Sequence, residues 1–122
     1  MPSFNQIILI GHMTRDIELR HTPSGSPVGD FGLAVNRNWK DKDDNRQTET
    51  CFIDVTVWGT QAENAKQFLG KGRAVMIVGH LRQDTWEDKS TGAKRSKHKV
   101  VAERLIYLPE SKERKAADVK DP

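Results

Sequence analysis

Residues 50–58 read Thr-Cys-Phe-Ile-Asp-Val-Thr-Val-Trp, and their alternation decides the fold. A period of two residues marks a strand with one face covered. Cys51, Ile53, Val55 and Val57 fall on one face, which reads as core. Thr50, Phe52, Asp54, Thr56 and Trp58 fall on the other. That second face is polar, yet it carries two large aromatic rings. Rings on a solvated sheet face are what nucleobases stack on, at ~1–3 kcal/mol per base. The alternative is that another sheet or a second subunit covers them.

Working outward, Ile7–Ile10 is apolar on both faces, so this first strand is buried on both sides or covered by a partner. Gly11 marks a bulge or bend, and Asp16–His21 continues the strand. Thr22-Pro23-Ser24-Gly25-Ser26-Pro27 is a turn by composition. In the second strand, Gly29–Asn38, Phe31, Leu33 and Val35 face the core. Asp30, Gly32, Ala34 and Asn36 face out, small enough for a ligand to approach the backbone. Residues 40–49 read as a polar, mobile loop leading into the 50–58 strand. Thr60-Gln61-Ala62-Glu63 has the pattern of a capping box with Thr60 as N-cap. Ala62, Ala65, Phe68 and Leu69 then make one apolar helical face, and Gly70 ends the helix.

The fourth strand is Arg73–Gln83, with Val75, Ile77 and Leu81 on one face. Residues 84–96 read as a long basic hairpin arm carrying Trp86, and His98–Leu108 as a fifth strand with Val100, Ala102 and Ile106 inward. After Pro109 the pattern stops, and residues 109–122 read as a short, polar, disordered tail. Residues 1–108 thus form one domain. The order strand-strand-strand-helix-strand-strand predicts an all-β, five-stranded Greek-key barrel, the OB-fold, with one short helix between strands 3 and 4.

The composition is compatible with this reading and narrows it little. A chain of 122 residues with 35% hydrophobic and 30% charged side chains suits one domain with a modest core. Net charge +3 is mildly basic and compatible with nucleic acid. The single cysteine, Cys51, excludes an internal disulfide, and its place on the core register predicts a buried structural thiol. The start lacks a basic n-region, and Ile7–Ile10 is too short for a signal peptide or membrane span, so a cytoplasmic, nucleoid-associated protein with no membrane contact is expected. Catalytic and metal motifs are missing: no His-Glu-x-x-His, no phosphate-binding loop and no Cys-x-x-Cys. His12, His21, His80 and His98 show no ligand spacing. Asp41, Asp43 and Asn45 suggest a calcium loop, but Arg46 stands where its glycine belongs and Phe52 where its closing glutamate belongs. No enzyme, metal or cofactor is expected.

From Asn5 to Leu108 the chain resembles the bacterial single-stranded DNA-binding proteins. The landmarks are Ile7–Gly11 with Asp16 and Arg20, Phe31–Trp39, Thr48–Gly59, Leu69-Gly70-Lys71-Gly72, and Gly79-His80-Leu81-Arg82 leading to Trp86. It is their joint order and spacing, rather than any one piece, that is specific. The resemblance implies sequence-independent binding and protection of single strands during replication, recombination and repair, usually by a homotetramer; a dimer is also compatible. It implies base stacking by Trp39, Phe52, Trp58 and Trp86, all within reach of one strand crossing the barrel, and phosphate contacts by Arg20, Lys40, Lys71 and Arg82. Arg37, Lys94, Arg95 and Lys97 join the phosphate set on charge and position alone.

The chain departs from the family pattern in three places. Phe52 stands where relatives often carry Trp. Asp54 and Asp84 occupy positions that are often basic, which predicts weaker binding or a shorter site. The sequence ends at Lys120-Asp121-Pro122 without the acidic tip that family members use to dock repair and replication enzymes, which puts tail-mediated recruitment in doubt, whether this end is native or a truncation. The rival reading is an OB-fold protein-interaction module, such as a primosome-type assembly subunit, that turns the same aromatic face to a protein.

Overall fold

The structure, a computed structural model, describes residues 2–109. The expected tail therefore lies, apart from Pro109, outside the described residues. The elements are β1 (Ile7–Met13), β2 (Glu18–His21), β3 (Pro27–Lys40), β4 (Arg46–Trp58), α1 (Thr60–Phe68), β5 (Ala74–Glu87) and β6 (Lys94–Tyr107). Their order in the sheet is β1-β5-β6-β4-β3-β2, and a second pairing of β1 with β3 closes it into a barrel. All pairings are antiparallel except β4 with β6, where Val55 lies beside Val100. With β1 and β2 taken as one bent strand, this is the five-stranded Greek-key barrel, with its helix between the third and fourth strands.

The first strand breaks in two because it serves two neighbours. Residues Ile7–His12 pair with β5, His12 and Met13 pair with β3, and Glu18–His21 pair with β3 again beyond a loop at 14–17. At Gly11 a side chain would run into the Ala34 carbonyl, so only glycine permits the close approach of β1 to β3 where the barrel closes.

The interior holds Met13, Ile17, Phe31, Leu33, Val55, Val57, Val75, Ile77 and Val100, all buried, packed with Ala62 and Ala65 of the helix and with Leu69 just after it. The core residues of β1, β3, β4 and β5 keep one parity in each strand, and β6 does not. Val78 pairs with Arg104 but Gly79 pairs with Ala102, so Glu103 is an extra residue and β6 changes parity there. Leu105 consequently turns inward, and Ile106, expected inside, lies opposite Met76 on the outer face. The Gln61 side chain of α1 satisfies the bulge: its amide donates to the Glu103 carbonyl at 2.8 Å and accepts from the Leu105 N–H at 3.1 Å.

Several local expectations are corrected. Residues 40–49 are a hairpin rather than a loose loop: β3 and β4 pair as far as Lys40 and Arg46, and the Asp41 carboxylate accepts the Asp43 and Asn45 N–H groups, both at 2.9 Å. Cross-strand bonds from Thr48 to Asn38 and from Thr50 to Asn36 support this polar ladder, which has no hydrophobic alternation to announce it. Cys51 is exposed rather than buried, because its part of β4 projects past the barrel and nothing packs over it. The helix is capped by Gly59, at φ 74°, with no side-chain cap; Thr60 is already its first residue. The last helical residue is Phe68, and Leu69 is extended at φ −117°, ψ 157° and turns into the core while Phe68 is left exposed.

Candidate nucleic-acid interface

The register of β3 and β4 sorts the aromatic residues. Trp58, Thr56, Asp54, Phe52 and Thr50 lie opposite Val28, Asp30, Gly32, Ala34 and Asn36, all on the outer face of the barrel. Phe52 is the most open of them, 72% exposed, beside partners that are only glycine- and alanine-sized. Trp58 is half-exposed at the other end of the strand, where its partner Val28 is fully buried. On the β5–β6 arm, Trp86 lies opposite Arg95 and is 50% exposed. Arg82, Asp84 and Trp86 share one side of that arm with Arg95, Lys97 and Lys99.

Trp39 is different. It pairs with Gln47 on the odd register of the hairpin, the side that becomes barrel interior further down. The guanidinium of Arg37 lies 4.3 Å from its ring centroid and is itself held by Glu49 at 3.0 Å. Phe52, Trp58 and Trp86 are thus set along the outer wall, and Trp39 presents its ring from the opposite side of the β3–β4 hairpin.

Between the two arms lies a lattice of charges. Asp54 accepts from Lys97 and lies 3.6 Å from Arg15. Asp84 is bonded to Arg82 at 2.9 Å and to Lys99 at 3.1 Å. Asp30 accepts from Arg20 at 2.9 Å and from the Thr56 hydroxyl at 2.8 Å. Arg15, Asp30, Asp54, Asp84, Lys97 and Lys99 line one open cavity of about 300 Å³. The bond from Lys97, with the charges of Lys97 and Arg15, holds the Asp54 carboxyl below the usual carboxylate range. The bond from Lys99, with the charges of Lys99 and Arg82, does the same for Asp84. A second cavity of about 220 Å³ opens against Phe52 and is lined by Arg15, Gly32, Asp54 and Lys97; a side chain on Gly32 would collide with Thr14 and Arg15 there.

Most of the expected phosphate residues are therefore already engaged: Arg20 with Asp30, Arg37 with Glu49, Lys40 with Asp44 at 3.9 Å, Arg82 with Asp84, Arg95 with Asp88 at 3.4 Å and Lys97 with Asp54. Lys94 at the arm tip forms no ion pair with any described residue. Neither does Lys71, which stands on the turn after α1 with its backbone N–H on Asp16 at 2.8 Å. Such exposed pairs are worth about 0–1 kcal/mol, so an incoming phosphate can compete for the cation. Two cations of the lattice, Arg15 and Lys99, escaped sequence reasoning. Lys99 shares the outward parity of Lys97 and was legible there; Arg15 sits in the 14–17 loop, which carries no periodic signal.

The far side of the barrel is apolar. Ile8 and Ile10, 57% and 56% exposed, lie opposite Val78 and Met76, and Ile106 extends the patch across β6. Among the described residues no three His, Cys, Asp or Glu side chains are grouped to hold a metal ion, and no helix is long and apolar enough to cross a membrane.

Comparison with known proteins agrees with this geometry. Residues 4–108 match the model of the single-strand binding protein family. The single-stranded DNA-binding protein of Helicobacter hepaticus is 48% identical over 86% of this chain and 61% of its own length, and that of Wolinella succinogenes is 48% identical over 86% and 64%. The chain thus spans less than two thirds of these relatives. Among solved structures, a deletion variant of the single-stranded DNA binding protein from Thermus aquaticus superposes with a TM-score of 0.77 at 31% identity, covering 87% of this chain and 51% of that one. The Plasmodium falciparum protein solved with single-stranded DNA shares the fold, with a TM-score of 0.80 at 24% identity over 89% of this chain and 98% of that one. With its closed barrel, its outward aromatics and a family match over nearly all the described residues, the chain belongs to the single-strand binding protein family.

Proposed function

We propose that this chain binds single-stranded DNA without sequence preference and protects it during replication, recombination and repair, as a non-catalytic, cytoplasmic protein. The observation that carries this reading is the outer barrel wall. Phe52 and Trp86 stand exposed at its two arms, and between them lie Arg and Lys side chains with their Asp partners, while Gly32 leaves room beside Phe52. Every base has a π-face, so stacking on Phe52, Trp58, Trp86 and Trp39 is sequence-tolerant. Arg20, Arg37, Lys40, Lys71, Arg82, Lys94, Arg95 and Lys97 contact phosphates, most of them by exchanging a carboxylate partner. Duplex is refused because its bases are already stacked on one another. The apolar face of Ile8, Ile10, Met76, Val78 and Ile106 supports self-association into a homotetramer or dimer.

The test is a titration with oligothymidine followed by tryptophan fluorescence, at low and high salt, with duplex as control. Quenching by the single strand alone, weakened by salt, is the expected result. Absence of quenching at low salt would give the aromatic wall to a protein partner instead.

A further inference from the structure

The centre of the proposed DNA track is not an open cationic groove. Arg15, Arg20, Arg82, Lys97 and Lys99 share it with Asp30, Asp54 and Asp84, and each of these cations lies within ion-pair distance of a carboxylate. Asp54 and Asp84 are each placed between two cations from different parts of the chain: Arg15 and Lys97 for Asp54, Arg82 and Lys99 for Asp84. A carboxylate with two oxygens, each on a cation, makes the contacts a backbone phosphate would make. Beyond the lattice some cations are unpaired. Lys89 and Lys94 at the tip of the β5–β6 arm form no ion pair with any described residue, and neither do Lys42 and Arg46 at the tip of the β3–β4 arm.

We propose that Asp54 and Asp84 are built-in competitors for the DNA backbone: they hold the central cations as a phosphate would, and so set the affinity for single strands and its response to salt. The inference rests on the reading of this wall as the DNA site. A strand entering the track displaces the carboxylates, and cations already neutralised release few counterions. Each pair broken subtracts from the gain, and the displaced carboxylate then repels the phosphate beside it. Binding in the centre then leans on base stacking, and the cations without an ion pair at the arm tips carry more of the salt response. Both carboxyls lie below the usual carboxylate range, so they remain charged competitors throughout the neutral pH range.

The test uses Asp54→Asn, Asp84→Asn and the double variant, which keep the shape but remove the charge and replace one of the two accepting oxygens by an NH2 donor. Oligothymidine binding is measured over a salt series, and retention on heparin, a polyanion without bases, is measured beside it. Thermal melting confirms the fold. Each substitution is expected to tighten oligothymidine binding by about 2–10-fold at low salt and to steepen the slope of log K against log salt by ~0.7 per cation released to a phosphate. Elution from heparin moves to higher salt. Unchanged affinity and slope in the double variant would overturn the proposal, as would weaker binding, which would make the carboxylates supports of the site. Stronger heparin retention with unchanged oligothymidine binding would overturn it too, since the freed cations would then lie off the strand's path. A parent protein that retains heparin but ignores oligothymidine would instead refute the reading of the wall as a DNA site.

Discussion

Replacing Phe52 with Ala separates binding from folding, and the structure gives the size of each effect. The ring is 72% exposed. An aromatic side chain offers ~200 Å² of surface, so the covered part is ~55 Å². At ~25 cal/mol per Å² its removal costs the fold at most ~1.4 kcal/mol. Buried Phe31 is the contrast: nothing of its side chain is exposed, and truncation there costs ~3–5 kcal/mol. The exposed area of Phe52 is what a base would cover. Loss of one stacking platform costs ~1–3 kcal/mol, a dissociation constant weaker by about 5- to 150-fold. Trp39, Trp58 and Trp86 remain in Phe52→Ala, so tryptophan quenching by oligothymidine still reports binding. The reasoning predicts a small fall in thermal stability, a large fall in affinity, and recovery in Phe52→Trp. If Phe52→Ala binds within twofold of the parent while melting close to it, the outer wall is not where bases stack.

Other consequences can be checked independently. Gly79→Ala forces a side chain against the Val101 carbonyl at the β-bulge, and a loss of about 2–4 kcal/mol in chemical denaturation is expected. Ile10→Glu puts a charge in the exposed apolar face; light scattering should show a smaller assembly with an intact circular dichroism spectrum, and an unchanged mass would move the self-association surface elsewhere. Acid should act through Asp54 and Asp84. Their folded carboxyls titrate below the ordinary value of 3.8, so the stability they contribute is complete above that value and is lost as pH falls through their lowered values. Melting curves of the parent and of Asp54→Asn/Asp84→Asn should therefore converge in strong acid; a gap that stays constant from neutral pH downward would show that these pairs do not link folding to protons.

The parts of this fold that were legible in the sequence are those where alternation meets a buried face. Phe31, Leu33, Val55 and Val57 announce the barrel because their outward neighbours, Trp58 apart, are polar or small. The same rule fails where the barrel ends. Cys51 keeps the core parity, but it stands beyond the covered part of the β3–β4 hairpin, where its partner Val35 is still partly packed against the core, so parity alone makes Cys51 look buried. Of the polar ladder, Asn36, Asn38 and Thr50 fall in strands read from the sequence, but Thr48 and the rest of 40–49 carry no hydrophobic signal and read as loop. Ile106 was misplaced by one inserted residue, Glu103, whose bulge is closed by a glutamine on a helix more than forty residues earlier in the chain. No local pattern encodes such a partner.

The site follows the same logic, and parity also makes it unequal along its length. Phe52 and Trp39 occupy even and odd positions of one hairpin, so one straight path along the outer wall can stack on Phe52 but not on Trp39. A strand that uses both must turn around the hairpin edge near Lys40 and Arg46, where the Arg37 guanidinium already lies on the Trp39 ring. A base can reach Trp39 only on the free side of that ring or by displacing Arg37 from it. Exposed cation–π contacts are worth about 0.5–1 kcal/mol, less than stacking a base supplies, so displacement is affordable once the strand is long enough to make the turn. Trp39→Ala should therefore leave short oligothymidines unaffected and weaken only longer ones, while Phe52→Ala weakens both. A Trp39 variant that lost affinity equally for every length would place that ring on the straight path and contradict the register.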